Sequence, residues 1–199
     1  MQLKNTRERW GIVSQALHWL IVLLILGQGT VGLWMEDLRN GPDKLQVYAL
    51  HKSFGLTILA LAVLRLLWRW YAGRPEPVPG IPRWQVSIAR LSHWLLYALL
   101  LAIPLSGWLL NSAAGFPLQW FGLFDLPAIA AQDNALHELA EEIHEFLFWT
   151  LVSVAALHAA AAFHHHLFRR DATLVRMLPG SWSHGGPPQP PAGSRRDDR

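Results

Sequence analysis

Ten of the 199 residues are histidine, and His18, His51, His93, His144 and His158 all stand within long apolar stretches. An imidazole in such surroundings needs a polar partner. For any one of them alone, the favoured partner is a backbone carbonyl on a neighbouring helix. The spacing points further. His144 and His158 are 14 residues apart, close to four helical turns, so their rings share a helix face about 21 Å apart along the axis. Histidines opposed in pairs across a helical core suit a haem iron, which takes an axial ligand on each face of a planar ring. With both axial positions filled no site remains for oxygen, and such a centre passes single electrons. The sequence has no cysteine, which excludes disulfides, iron–sulfur ligation, thiolate metal sites and covalently attached c-type haem. A haem here is held by coordination alone, as haem b.

The elements that must position these rings are read from apolar runs near 12–35, 46–70, 88–111 and 142–168. Hydrophobic residues make up 52% of the chain and charged residues 16%, which departs from the balance of soluble domains. Each run is long enough to cross a bilayer, which takes about 20 residues at about 1.5 Å rise. The expected fold class is all-α, an integral membrane four-helix bundle with antiparallel helices. It occupies 1–178, and a disordered cytoplasmic tail rich in Pro, Gly, Ser and charge follows over 179–199. The first run follows Lys4, Arg7 and Arg9 as a signal peptide would, but it is too long for one and lacks a small-residue cleavage site, so it is read as retained. Gly41-Pro42 and the proline-rich segment 74–82 cannot continue a helix and read as turns. Segment 112–138, with Phe116-Pro117, Trp120-Phe121-Gly122 and Asp125-Leu126-Pro127, reads as an ordered interfacial loop beside a cofactor edge. Many of the eleven tryptophans lie near run ends, where an amphipathic ring anchors a helix.

Lys and Arg set the orientation, because cytoplasmic flanks retain positive charge. Fourteen fall on the side of the N-terminus: Lys4, Arg7, Arg9, Arg65, Arg69, Arg74, Arg83, Arg90, Arg169, Arg170, Arg176, Arg195, Arg196 and Arg199. The other side has Arg39, Lys44 and Lys52. Both termini are therefore expected in the cytoplasm, and the basic residues follow the membrane boundary instead of forming the stripe a nucleic acid would need. Alternating helix directions then put His18 and His158 near the inner face and His51 and His144 near the outer face. Depth pairs His51 with His144 and His18 with His158, so two haems stacked along the membrane normal form a conduction path.

His93 shares the depth of His18 and is the reserve inner ligand. Gly27, Gly29, Gly32, Gly55 and Gly107 suit close approach of helices or macrocycles. His164, His165 and His166 read either as an interfacial polar cluster or as a quinone or proton site, and His184 lies in the tail. His137 and His144 with the glutamates between them offer a zinc alternative. They lack the H-E-x-x-H pattern, however, and an acidic first turn is ordinary dipole compensation.

Together these residues resemble the bacterial cytochrome b561 family of four-helix di-haem membrane proteins, whose members include a superoxide:quinone oxidoreductase. The resemblance rests on Leu17-His18-Trp19-Leu20, Leu50-His51-Lys52-Ser53-Phe54-Gly55, Ser92-His93-Trp94 with Tyr97, Pro104-Leu105-Ser106-Gly107, Ile143-His144-Glu145, Leu157-His158 followed by four alanines, and segment 171–179. It implies two bis-histidine haems b on His18, His51, His144 and His158, in the inner membrane of a bacterium. It also implies electron exchange with a quinone, ubiquinone being the candidate, near His165 on the cytoplasmic side. The leading expectation is an electron carrier between an unidentified outer-side donor and the quinone pool. Superoxide:ubiquinone oxidoreductase is one alternative, and a haem-bearing membrane anchor for a dehydrogenase or hydrogenase is another. One feature departs from the superoxide-consuming members: the outer side carries nine acidic residues against three basic ones, which would repel an anion and draw in a basic donor protein. Lys52 beside His51 is a local exception.

Overall fold

The computed structural model describes residues 2–180, so the expected tail lies almost wholly outside the described residues. Four long helices carry the fold: α1 (Ile12–Glu36), α2 (Pro42–Ala72), α3 (Arg83–Ala113) and α4 (Asn134–His164). All four are long and apolar enough to cross a membrane. Their surfaces agree: Leu23, Leu26, Leu67, Phe146 and Leu157 are exposed, as side chains facing lipid should be. The buried apolar core is small, with Ile21, Ile58, Ala62 and Leu100 meeting at mid-depth. Hydroxyls on the helices bond back to their own carbonyls, as Thr30 does to Leu26, Thr57 to Ser53 and Thr150 to Phe146. That satisfies them where water is absent.

Helix α1 packs on α2, α2 on α3 and α3 on α4, the order expected of an up-and-down bundle with short links. Helix α4 begins eight residues earlier than its apolar run. Asp133 caps it, its Oδ1 accepting from Leu136 N at 2.9 Å, and the turns carrying Glu138 and Glu141 extend the helix ahead of its apolar run.

The loop between α3 and α4 is ordered, as its composition suggested. Strands β1 (Leu118–Trp120) and β2 (Phe124–Leu126) form an antiparallel hairpin with Gln119 opposite Asp125. Phe121 N donates to Ser53 Oγ at 3.0 Å and Trp120 Nε1 to Thr57 Oγ1 at 3.1 Å, so the hairpin lies along α2 over the turn that follows Lys52. Phe121, in the left-handed region at φ 49°, makes the tight turn that permits this.

At the opposite end α4 closes in a π-helical turn, His165–Arg169, and Arg170 at φ 52° reverses the chain. Residues 171–178 then run back over the N-terminal end of α1. Trp19 Nε1 donates to Met177 O at 2.9 Å, Gln15 Nε2 to Arg176 O at 3.2 Å and Arg9 Nη2 to Leu178 O at 2.9 Å. Both described ends of the chain therefore lie on one side of the bundle, with Arg7, Arg9 and Arg176.

Candidate functional site

The outer pair expected from the sequence comes together. His51 on α2 and His144 on α4 have ring centroids 6.5 Å apart and planes crossed at 74°. An iron between two coaxial imidazoles, with Fe–N of about 2 Å on each side, requires centroids about 6.3 Å apart. The tautomer of His144 follows from its neighbour. Ser106 Oγ has one proton and donates it to Ile103 O at 2.8 Å, so its 2.9 Å contact with His144 Nδ1 must run from Nδ1–H to the oxygen. The proton sits on Nδ1, and the Nε2 lone pair is free for a metal. His51 Nδ1 is buried without a hydrogen-bond partner among the described residues.

Two of the five glycines named from the sequence stand against these rings. A Cβ on Gly32 would lie 3.3 Å from His51 Cε1, and one on Gly107 would lie 3.2 Å from His144 Cε1. Gly29 instead faces Phe148, Gly55 faces Gln28, and Gly27 faces open space. Pro104, which interrupts the hydrogen-bond ladder of α3, precedes Gly107 by three residues. The residues of the outer layer thus fit a flat macrocycle between two imidazoles.

The inner layer is arranged differently. His158 on α4 lies against His93 on α3, with centroids 5.2 Å apart, too close for an iron between coaxial rings. His18 on α1 is at the same level, but its Nδ1 is 3.0 Å from Arg65 Nη1. The structure therefore brings three histidines to the inner layer and does not place His18 in ring contact with His158. Arg65 was counted among the boundary charges. It faces the bundle interior, over the Tyr97 ring at 5.5 Å. The signal for that role was an arginine well inside an apolar run with no acid near it in sequence.

Near the inner surface, His165 Nδ1 contacts Asp171 Oδ2 at 2.5 Å, and Thr173 N donates to Asp171 Oδ1 at 2.9 Å. Burial pushes the Asp171 carboxyl up, but hydrogen bonds from Thr173 and His165 outweigh it and hold the group below the usual carboxylate range. His164 stacks on Phe168. Of the histidines in the zinc alternative, His137 Nδ1 lies 3.3 Å from Leu110 O and His144 Nδ1 lies 2.9 Å from Ser106 Oγ. No cluster of three or more metal-ligating side chains exists among the described residues. At the outer surface, Lys52 Nζ donates to Asn111 Oδ1 at 3.0 Å.

The family profile of prokaryotic cytochrome b561 matches residues 9–180. The Escherichia coli (strain K12) protein named cytochrome b561 homolog 2 is 37% identical, covering 94% of this chain and 100% of its own length. Cytochrome b561 homolog 1 of the same organism is 31% identical over 82% of this chain and 93% of its own. A Yersinia pestis protein named probable superoxide oxidase CybB is 29% identical over 86% of this chain and 97% of its own. With four membrane-crossing helices and paired histidines between them, this chain belongs to the prokaryotic cytochrome b561 family of multi-pass membrane proteins that bind b-type haem and transfer electrons.

Proposed function

We propose that the protein is a di-haem electron carrier of the bacterial inner membrane, moving single electrons between an outer-side donor and the quinone pool. The observation that carries this is the His51–His144 pair, spaced for a bis-histidine iron, with His144 locked by Ser106 in the ligating tautomer. His51 and His144 would hold the outer haem. His18 and His158 would hold the inner one, because α1 and α4 are not a closely packed helix pair, whereas His93 already touches His158. When bound, each haem supplies a one-electron couple with no open coordination site. The protein's part is to fix the ligand rings, exclude water with lipid-facing helices, and keep the two centres stacked along the membrane normal. His165, beside Asp171 under the folded-back segment 171–178, would meet the quinone and exchange its proton. The test is reduction of the purified protein followed by addition of ubiquinone. Reoxidation of both haems is expected, and a reduced spectrum unmoved by quinone would refute the quinone link.

A second reading is superoxide oxidation. It is favoured by the name of the Yersinia pestis relative and by Lys52 next to His51, the ammonium nearest the outer ligand pair. Against it stands the acidic outer surface. Stopped-flow reduction by superoxide across ionic strength decides: a near-diffusion-limited rate that falls as salt rises puts this reading first.

A further inference from the structure

We propose that Arg65 and Arg69, on the inner half of α2, form a carboxylate-binding site whose ligands are the propionates of the inner haem. This rests on the reading that an inner haem is bound. Arg65 stands seven residues before the end of α2, about 10 Å inside the helix terminus. A guanidinium stays ionised there, and a charge at membrane depth needs an anion or water. No helix supplies one. The sequence has no Asp or Glu in 9–35, 44–75, 77–124 or 146–170, which covers every helix at this depth. What faces Arg65 is His18 on α1 at 3.0 Å and the Tyr97 ring on α3 at 5.5 Å, while Arg69 lies over Tyr97 at 5.5 Å and Trp94 at 5.8 Å. His93 and His158 complete the layer. Two guanidiniums, three imidazoles and a phenol converge without a carboxylate.

The contact between Arg65 and His18 carries the argument further. Arginine only donates, so His18 Nδ1 must accept, and the ring proton is then on Nε2. A histidine that ligates iron through Nε2 carries its proton on Nδ1. The contact and the ligation exclude one another. When His18 ligates, Arg65 must turn to a new acceptor within reach of its side chain, and the carboxylates that arrive with the ligand of His18 are haem propionates. Arg65 points into the bundle, toward His18 and Tyr97, and not toward lipid. A lipid phosphate would instead meet Arg74, just past the end of α2, where it lines a surface groove with Trp70 and Gly73.

The test uses the full chain purified in detergent, as wild type, Arg65→Met and Arg65→Lys. Haem per chain, bound phospholipid phosphate and the midpoint potential of each haem at pH 8 are measured. Arg65→Met should disfavour reduction of the inner haem at least tenfold, about 59 mV for a one-electron couple, leaving the outer haem unmoved. Arg65→Lys, which keeps the charge, should stay within threefold of wild type. Wild-type protein refilled with haem dimethyl ester, whose propionates are blocked, should bind it at least tenfold more weakly at the inner site. This holds the test open even if Arg65→Met loses the inner haem. Unchanged potentials in Arg65→Met, loss of phosphate in their place, or equal affinity for the ester and haem b would each overturn the proposal while leaving the inner haem standing. A wild-type haem count of one would overturn the inner-haem reading itself, and this proposal with it.

Discussion

Ser106→Ala isolates the outer ligand pair. Ser106 accepts the Nδ1 proton of half-buried His144 while giving its own proton to Ile103 O. Removing the hydroxyl takes away that acceptor and leaves Ile103 O as the other one beside the ring. Losing one such hydrogen bond costs about 0.5–1.5 kcal/mol, and about 1.4 kcal/mol is tenfold in affinity. The ring also loses the bond that fixes its tautomer, and losing such outer partners of ligating histidines costs about 10- to 100-fold in metal affinity. The expected result is outer-haem binding about 10- to 100-fold weaker, with the inner haem, about 21 Å away along α4, unchanged. The assay is titration of haem-depleted protein, following the low-spin absorbance of each centre. If Ser106→Ala binds both haems as wild type does, or loses the inner one first, the tautomer argument is wrong.

The remaining expectations concern ligands, space, orientation and pH. His51→Ala or His144→Ala should remove the outer haem, and His18→Ala or His158→Ala the inner one, read from reduced-minus-oxidised spectra. Loss of the inner haem in His93→Ala, with His18→Ala spectrally silent, would reassign the inner ligand. Gly32→Leu should expel the outer haem, because even a Cβ there meets His51 at 3.3 Å, whereas Gly27→Leu, with nothing within 4 Å, should not; haem counts compare the two. Reporter fusions after Leu178 should be active in the cytoplasm and fusions within 112–138 in the periplasm, and the reverse pattern would sink the assigned orientation. Asp171 is held below the usual carboxylate range in the fold, so its contribution to docking of segment 171–178 is present above that range and lost as pH falls through the lowered value. Hydrogen exchange of that segment should rise in acid for wild type, and Asp171→Asn should remove the dependence.

Local pattern alone was enough for the four helices, the relative level of each histidine along the bundle and the family. Membrane solvent makes this legible: a span must be apolar along its length, and a helix puts residues 14 apart on one face, so depth and facing can be counted along the chain. The outer pair follows from that counting. What the inner layer does was not legible. Arg65 read as a boundary charge because its partners, His18 and Tyr97, belong to other helices, and which of three histidines meet at one level depends on how α1, α3 and α4 pack. The same limit applies to the hairpin that bonds α2 at Ser53 and Thr57, and to segment 171–178, whose bonds to Gln15 and Trp19 close over 161 and 158 residues. Periodicity describes one helix against its solvent. Partners chosen across the bundle, such as Ser106 for His144 or Arg65 for His18, are settled only when the helices meet.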